Sequence, residues 1–300
     1  MNTTSQSAAS GAALSDQRIA FIGAGSMSEA LLRGIVEAKL VRSLSVVVLN
    51  RHNRSRLDEL HASYGIRVPE TNEADERQRL VASADIVVLA MKPKDVGAAM
   101  IEFRDALRPE QLLVSVVAGL AIDTIQRLLG RAQPIVRTMP NTSSTIGLGA
   151  TGLAFSESVS SAQRAMALQM LQAVGKAVPL EENKLNLVTG LSGSGPAYVY
   201  YLMEAMIEAG IQGGLTAEEA RTLAVQTVLG AAHMVESTGE DPAALRAKVT
   251  SPNGTTFAAI GVLERFQFRE ATVQAIQRAT ARAGEMGDDI AASVLQQVKE

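Results

Sequence analysis

From residue 18 to residue 139 the apolar positions fall into short runs of two kinds, and the two kinds alternate. Residues 18–24 (RIAFIGA), 44–49 (LSVVVL), 66–68, 85–91 (DIVVLAM), 112–117 (LLVSVV) and 134–139 are brief and largely apolar, several of them rich in β-branched residues, as buried strands are. Between them, residues 26–39 carry leucine, isoleucine and valine at helical spacing. Residues 55–63 read as a polar helix, and 73–82, 94–107 and 122–129 continue the alternation. Strands separated by helices imply parallel pairing with right-handed crossovers, so the pattern predicts an α/β, Rossmann-type doubly wound sheet. Ligands of such sheets bind at the carboxyl ends of the strands.

Residues 141–152 are rich in glycine, serine and threonine, and one more strand-helix-strand unit is expected at 150–155, 160–173 and 177–179. The pattern then changes at Thr189-Gly-Leu-Ser-Gly-Ser-Gly-Pro-Ala-Tyr198. Its small residues suit a tight turn, and Pro196 suits the first position of a helix, so the stretch reads as a hinge between two halves. The helix predicted over 197–211 is apolar on nearly every side, with Glu204 and Glu208 its only charged stripe. A helix of that kind must be buried. Thr216-Ala-Glu-Glu219 is a capping box opening a helix to about 236, and Asp241-Pro242 opens another to about 249. After a break at 250–255, helices are expected over 256–265 and 269–283, with a frayed end from 286. The expected division is a disordered tail (1–17), a dinucleotide-binding domain (18–188) and an all-α C-terminal domain (189–300).

Composition narrows the function classes. At 47% hydrophobic and 20% charged the chain is ordinary globular protein; its 28 basic and 31 acidic residues are mixed, leaving a net charge of −3 and no nucleic-acid or membrane surface. With no cysteine there is no disulfide framework, thiolate zinc site or cysteine nucleophile, which fits a reducing compartment. His52, His61 and His233 lack ligand spacing, and no metal site is expected. The first 17 residues hold no basic residue and so resemble neither a signal peptide nor a mitochondrial presequence. No apolar run reaches the roughly 18 residues of a bilayer span. The expected location is cytoplasmic.

Gly23-x-Gly25-x-x-Ser28 stands where a dinucleotide fingerprint belongs, directly after a strand and opening a helix. The first glycine makes the turn, the second admits a pyrophosphate, and the helix N-terminus supplies N–H donors. At the end of the second strand, where NAD sites place an acid, stand Asn50 and Arg51, with Arg54 and Arg56 behind and no acid before Asp58. Positive charge there favours NADP; for Arg54 and Arg56 a solvated basic face is the equal alternative. Ala90-Met91-Lys92-Pro93 and Ala118-Gly119 follow two further strands and suit a backbone wall against a flat ring. Lys92 reads either as a catalytic lysine or as a loop lysine. Ser251-Pro-Asn-Gly-Thr-Thr256 places two hydroxyls and a glycine turn at a helix N-terminus, either an anion site suited to a carboxylate or a plain N-cap.

Taken together, these residues resemble the Δ1-pyrroline-5-carboxylate reductase family over residues 19–286. The most specific part is 242–264, PAALRAKVTSPNGTTFAAIGVLE; Leu191-Ser-Gly-Ser-Gly-Pro-Ala-Tyr198 and Arg137-Thr-Met-Pro-Asn-Thr142 also look like family motifs. The resemblance implies NADPH-dependent hydride transfer to the C=N bond of Δ1-pyrroline-5-carboxylate, giving L-proline, an oxidoreduction at a CH–NH bond. It implies that Ile22, Gly23, Ala24, Gly25, Ser26 and Met27 hold the pyrophosphate and that Asn50 and Arg51 hold the adenosine end. Ala90, Met91, Lys92, Pro93, Ala118 and Gly119 would flank the nicotinamide, with Asn72 and Asn141 as further cofactor contacts. Gly254, Thr255 and Thr256 would bind the substrate carboxylate and ring nitrogen, Thr256 acting in catalysis, with Lys248 and Glu182 as further substrate contacts. The chain departs from the family at Asn253, where a glycine is usual, at Ser143, where a proline is usual, and at Lys248, an asparagine in some members.

A protonated imine is already electrophilic, so this chemistry needs orientation and charge placement more than an acid-base pair, and the sequence holds no evident His or Asp–His pair. Ser194, in the hinge, reads either as a ligand contact or as helix packing. The apolar helical half points to a partner subunit, and the resemblance implies an interleaved homodimer, often assembled into a decamer. Three other readings stand beside this one. A related cyclic-imine reductase would differ in substrate, and a β-hydroxyacid-type dehydrogenase would need a catalytic lysine, for which Lys248 is the near candidate. A non-catalytic NADP-binding regulator would bind without turnover.

Overall fold

The computed structural model describes residues 13–297. Seven strands form one sheet in the order β2-β1-β3-β4-β5-β6-β7: β1 (Ile19–Ile22), β2 (Val46–Leu49), β3 (Ile86–Leu89), β4 (Leu112–Ser115), β5 (Ile135–Met139), β6 (Gly149–Phe155) and β7 (Gly175–Pro179). The first five run parallel, β6 lies antiparallel to β5, and β7 lies parallel to β6. Every residue of β1 to β4 is buried, since helices cover both faces. On one face Ile19 and Phe21 pack with Leu31, Leu32 and Ile35 of α1 (Ser26–Glu37), Leu57 and Leu60 of α2 (Arg54–Tyr64), and Met170 and Leu171 of α6 (Ser161–Gln172). On the other, Ala20 and Ile22 pack with Val81 of α3 (Ala74–Ser83), Met100 of α4 (Val96–Phe103) and Ile125 of α5 (Ile122–Leu129).

The register sets the functional edge. Ile22 lies opposite both Leu49 and Leu89, and Leu89 opposite Ser115, so four parallel strands end level. The chain leaves that edge at Gly23, Asn50, Ala90 and Val116.

Four expectations change. Residues 66–68 make only one bridge, Arg67 to Val47, because Pro69 has no N–H with which to extend a ladder. Leu14–Asp16 form a 3-10 turn with Leu14 buried in the core, so the expected tail is ordered from there; residues 1–12 lie outside the described residues. The hinge is helical: α7 (Leu185–Val188) runs through a π-helical stretch, Thr189–Gly193, toward α8 (Gly195–Gln212). Its small residues serve close packing, for a Cβ on Gly193 would lie 2.7 Å from the Met139 methyl. The final helix, α12 (Phe268–Gln297), does not fray at 286, because Val294 is buried and Ile290 and Leu295 pack on the sheet's second core.

The chain accordingly divides after Gly193, and described residues from Thr280 onward group with the first unit. The second unit, residues 194–279, holds α8, α9 (Ala217–Thr238), α10 (Pro242–Lys248), α11 (Thr255–Arg265) and the first part of α12. Both expected caps form: Thr216 accepts from Glu219 N–H while the Glu219 carboxylate accepts from Thr216 N–H, and Asp241 accepts from Ala243 N–H. Gly210 lets α8 and α9 approach, since a Cβ there would lie 2.9 Å from the Ala220 Cβ. The burial that the composition of α8 demands is not met within the one chain: no α8 residue is buried, and Tyr200 and Tyr201 are 57% and 75% exposed. No described helix is long and apolar enough to cross a membrane, and no metal-ligating cluster occurs among the described residues.

Candidate active site

A cleft of about 690 Å³ opens at the level edge of β1, β2 and β3. Gly23 holds φ at 113°, donates its N–H to Leu49 O at 2.9 Å, and passes so near β3 that a Cβ would lie 2.3 Å from Ala90 O. Gly25 caps α1 at φ −75°, and a Cβ there would meet nothing within 4 Å, so this side of the turn faces open space. The N–H groups of Ser26, Met27 and Ser28 have no acceptor within the helix, leaving donors and the positive end of the α1 dipole at the cleft. Ser28, in the third fingerprint position, is fully buried, small enough for the close packing that position requires. These features fit a pyrophosphate.

At the end of β2 the Asn50 side chain accepts from the N–H groups of His52 and Asn53, each at 3.1 Å. Arg51 lines the cleft, and its guanidinium pairs with no carboxylate among the described residues. The other two arginines are engaged. Arg54 binds Asp58 at 2.8 Å and the carbonyl of Pro69 at 2.5 Å; Arg56, at the cleft wall, pairs with Glu29 and with Glu59. Asn72 does not line the cleft. It stands behind Asn50 and Arg51, donating to their carbonyls at 3.2 and 3.4 Å.

Ala90, Met91 and Lys92 line the cleft, and Lys92 is exposed and forms no ion pair among the described residues. Pro93 begins a 3-10 turn. Ala118 is exposed; Gly119, at φ 76°, lies against α12, where a Cβ would come 2.8 Å from the Ile290 methyl. Two residues expected at ligands are used within the chain. Asn141 donates to Ser192 O at 3.0 Å and accepts from Ala150 N–H at 3.1 Å. Glu182 accepts at one oxygen from Ile122 N–H (2.8 Å) and Arg137 (2.9 Å), capping α5 and tying it to β5.

In the second unit Gly254 caps α11 at φ −78°, and its N–H closes the turn on Ser251 O at 3.0 Å. A Cβ on Gly254 would crowd the Ser251 hydroxyl at 2.5 Å. Neither Thr255 nor Thr256 spends its hydroxyl on a described residue, and the N–H groups of Thr255, Thr256 and Phe257 have no acceptor in the helix. Asn253, where the family usually has glycine, adopts φ 58°, a left-handed conformation that asparagine tolerates. Lys248 is exposed and bound to Glu240 at 2.5 Å. Ser194 precedes α8 and makes no side-chain cap bond.

Sequence reasoning missed the cleft's far wall. Ala98, Ala99 and Phe103 of α4 line it together with the ion pair of Arg77 and Glu102, 2.6 Å long and with side chains 9% and 13% exposed. The pair joins α3 to α4 across 25 residues of sequence, a separation no local pattern signals.

A doubly wound sheet with a glycine turn, an unpaired arginine beside it and a helical second unit carrying an anion-ready turn defines a nicotinamide-dinucleotide oxidoreductase of two-unit build. Two family models match the chain: "NADP oxidoreductase coenzyme F420-dependent" over residues 18–119, and "Pyrroline-5-carboxylate reductase dimerisation" over residues 182–286. Pyrroline-5-carboxylate reductase 1 of Bacillus subtilis (strain 168) is 42% identical over 91% of each chain. The solved pyrroline-5-carboxylate reductase of Coxiella burnetii superposes with a TM-score of 0.84 at 38% identity, covering 90% of this chain and 98% of that one. That of Plasmodium falciparum, solved with NADP bound, gives 0.79 at 26% identity, covering 91% and 99%. The chain belongs to the pyrroline-5-carboxylate reductase family.

The contact at Gly23 gives a direct test. Gly23→Ala places a methyl into the Ala90 carbonyl at an unfavourable φ, a strain of about 1–3 kcal/mol or more. Isothermal titration is expected to show at least a tenfold weaker dinucleotide affinity with the fold retained by circular dichroism; unchanged affinity would remove Gly23 from the site.

Proposed function

We propose that this protein is an NADPH-dependent Δ1-pyrroline-5-carboxylate reductase that forms L-proline. The observation that carries the reading is the Gly254–Thr255–Thr256 turn in a member of this family: two uncommitted hydroxyls and three free N–H groups at one helix N-terminus, matched to a carboxylate. NADPH, when bound, supplies the hydride that reduces the C=N bond. The chain's own residues have a narrower task. The α11 terminus and the Thr255 hydroxyl hold the carboxylate, and the Thr256 hydroxyl hydrogen-bonds the ring nitrogen, keeping the electrophilic carbon oriented. The glycine turn and Ser26 and Met27 hold the pyrophosphate, while Ala90 to Pro93 and the Ala118–Gly119 turn flank the nicotinamide.

Preference for NADPH over NADH is supported by Arg51, a cleft-facing cation without an internal partner, and by the absence of an acid from position 50. Ser194 joins the proposed substrate set with a free hydroxyl. Glu182 and Lys248 join it on resemblance, each already holding a protein partner; with Lys248 exposed and paired to Glu240, nothing favours the lysine-dependent dehydrogenase reading. A cytoplasmic location is part of the proposal and is compatible with a chain free of cysteine.

A homodimer, able to assemble further into a decamer, completes the proposal. Exposed Tyr200, Tyr201, Leu223, Phe257 and Phe266 on the second unit would be a large apolar liability on a monomer.

The purified protein is expected to oxidise NADPH with pyrroline-5-carboxylate and not with 3-hydroxyacids; no turnover with the imine would overturn the reading. Thr256→Ala should lower kcat/KM at least tenfold, about 1.4 kcal/mol of transition-state stabilisation. Sedimentation should find a dimer or larger at micromolar concentration, and a stable monomer would sink the assembly.

A further inference from the structure

The connection between α2 and α3 is fastened by side chains from both helices. Arg54 of α2 donates to the carbonyls of Pro69 and Glu70, at 2.5 and 3.3 Å. Glu76 of α3 accepts Glu70 N–H at one carboxylate oxygen (2.7 Å). Its other oxygen accepts Thr71 N–H (2.9 Å), the Thr71 hydroxyl (2.7 Å) and Asn72 N–H (2.9 Å). Arg77 donates to the Asn72 carbonyl while pairing with Glu102. Asn72 is thereby fixed at φ 61°, and its amide reaches across to the carbonyls of Asn50 and Arg51.

That reach has a consequence for recognition. The other end of the Asn72 amide, Oδ1, is buried without a hydrogen-bond partner, so the side chain is oriented by its donors alone. Those donors hold the backbone from which Arg51 extends, and a long flexible side chain presents its charge accurately only when its root is fixed. We propose that Glu76 is a positioning residue for recognition of the cofactor's 2′-phosphate, acting through Asn72 on Arg51. The proposal rests on the NADPH reading above. Desolvation would raise the Glu76 carboxyl, but the hydrogen bonds from Glu70, Thr71 and Asn72 overcome it and hold the group at about 2, so the clasp stays charged at neutral pH. The glycine turn and the α4 wall donate no hydrogen bond to this carboxylate among the described residues, so the groups proposed to hold the pyrophosphate lie outside its reach.

Titration calorimetry of NADPH and NADH into the full-length protein tests the relay, using wild type, Glu76→Ala and Asn72→Gly. Glycine accepts the left-handed backbone at 72 without strain, so the second variant probes the same link should the first fold poorly. Each variant is expected to weaken NADPH about tenfold, while NADH changes less than about twofold. In an Arg51→Ala background, Glu76→Ala should add no further loss of NADPH affinity, because the residue it serves is gone. Equal weakening of both cofactors, unchanged NADPH affinity, or an undiminished loss in the Arg51→Ala background overturns the proposal. Wild type that fails to prefer NADPH overturns the cofactor reading and this proposal with it, a failure visible in the wild-type titration alone.

Discussion

The cofactor edge depends on one close approach, that of Gly23 to Ala90. The turn after β1 lies so near the end of β3 that no side chain fits between them. Parallel pairing makes this possible by ending β1, β2 and β3 at one level. A turn displaced by a methyl group would lift the α1 terminus from the position at which its N–H groups meet the cleft. The Rossmann-type sheet is thus the frame that allows two backbone segments to meet where a pyrophosphate would lie.

Around that frame the charged residues are divided between those left free and those spent on structure. Four side chains near the cleft, Arg54, Arg56, Arg77 and Glu102, satisfy one another, Glu29, Glu59, Asp58 or nearby carbonyls. Arg51, beside them, pairs with no acid among the described residues. A buried ion pair such as Arg77–Glu102 adds little net stability, because desolvation offsets attraction. Its value here is geometric: it joins α3 to α4 and helps to fix Asn72. In the second unit the same division leaves Thr255 and Thr256 free while Lys248 is tied to Glu240.

The fold was largely legible from the chain, because strand and helix periods are local properties. The fingerprint glycines, the capping box at Thr216, the N-cap at Asp241 and the Thr255–Thr256 turn all appeared where their spacing placed them. The failures have separate causes. Residues 66–68 carry strand-forming side chains, but Pro69 cannot pair. The small residues at 190–195 suggested a turn, whereas close packing and a π-helical stretch required them. The end from 286 was expected to fray, whereas Ile290 and Val294 find a core 100 or more residues away in sequence.

The sequence by itself determined the sheet, the glycine turn, the cofactor class and the anion-ready threonines, since each rests on residues within a few positions of one another. Only the tertiary structure decided which polar groups remained available. Asn72, Asn141 and Glu182 all looked like ligand contacts, yet each has its hydrogen-bonding capacity taken up, wholly or in part, by groups 9 to 60 residues away. The physical reason is that a polar side chain in a low-dielectric interior is costly where it lacks a partner, and the partner it finds is chosen by proximity in space.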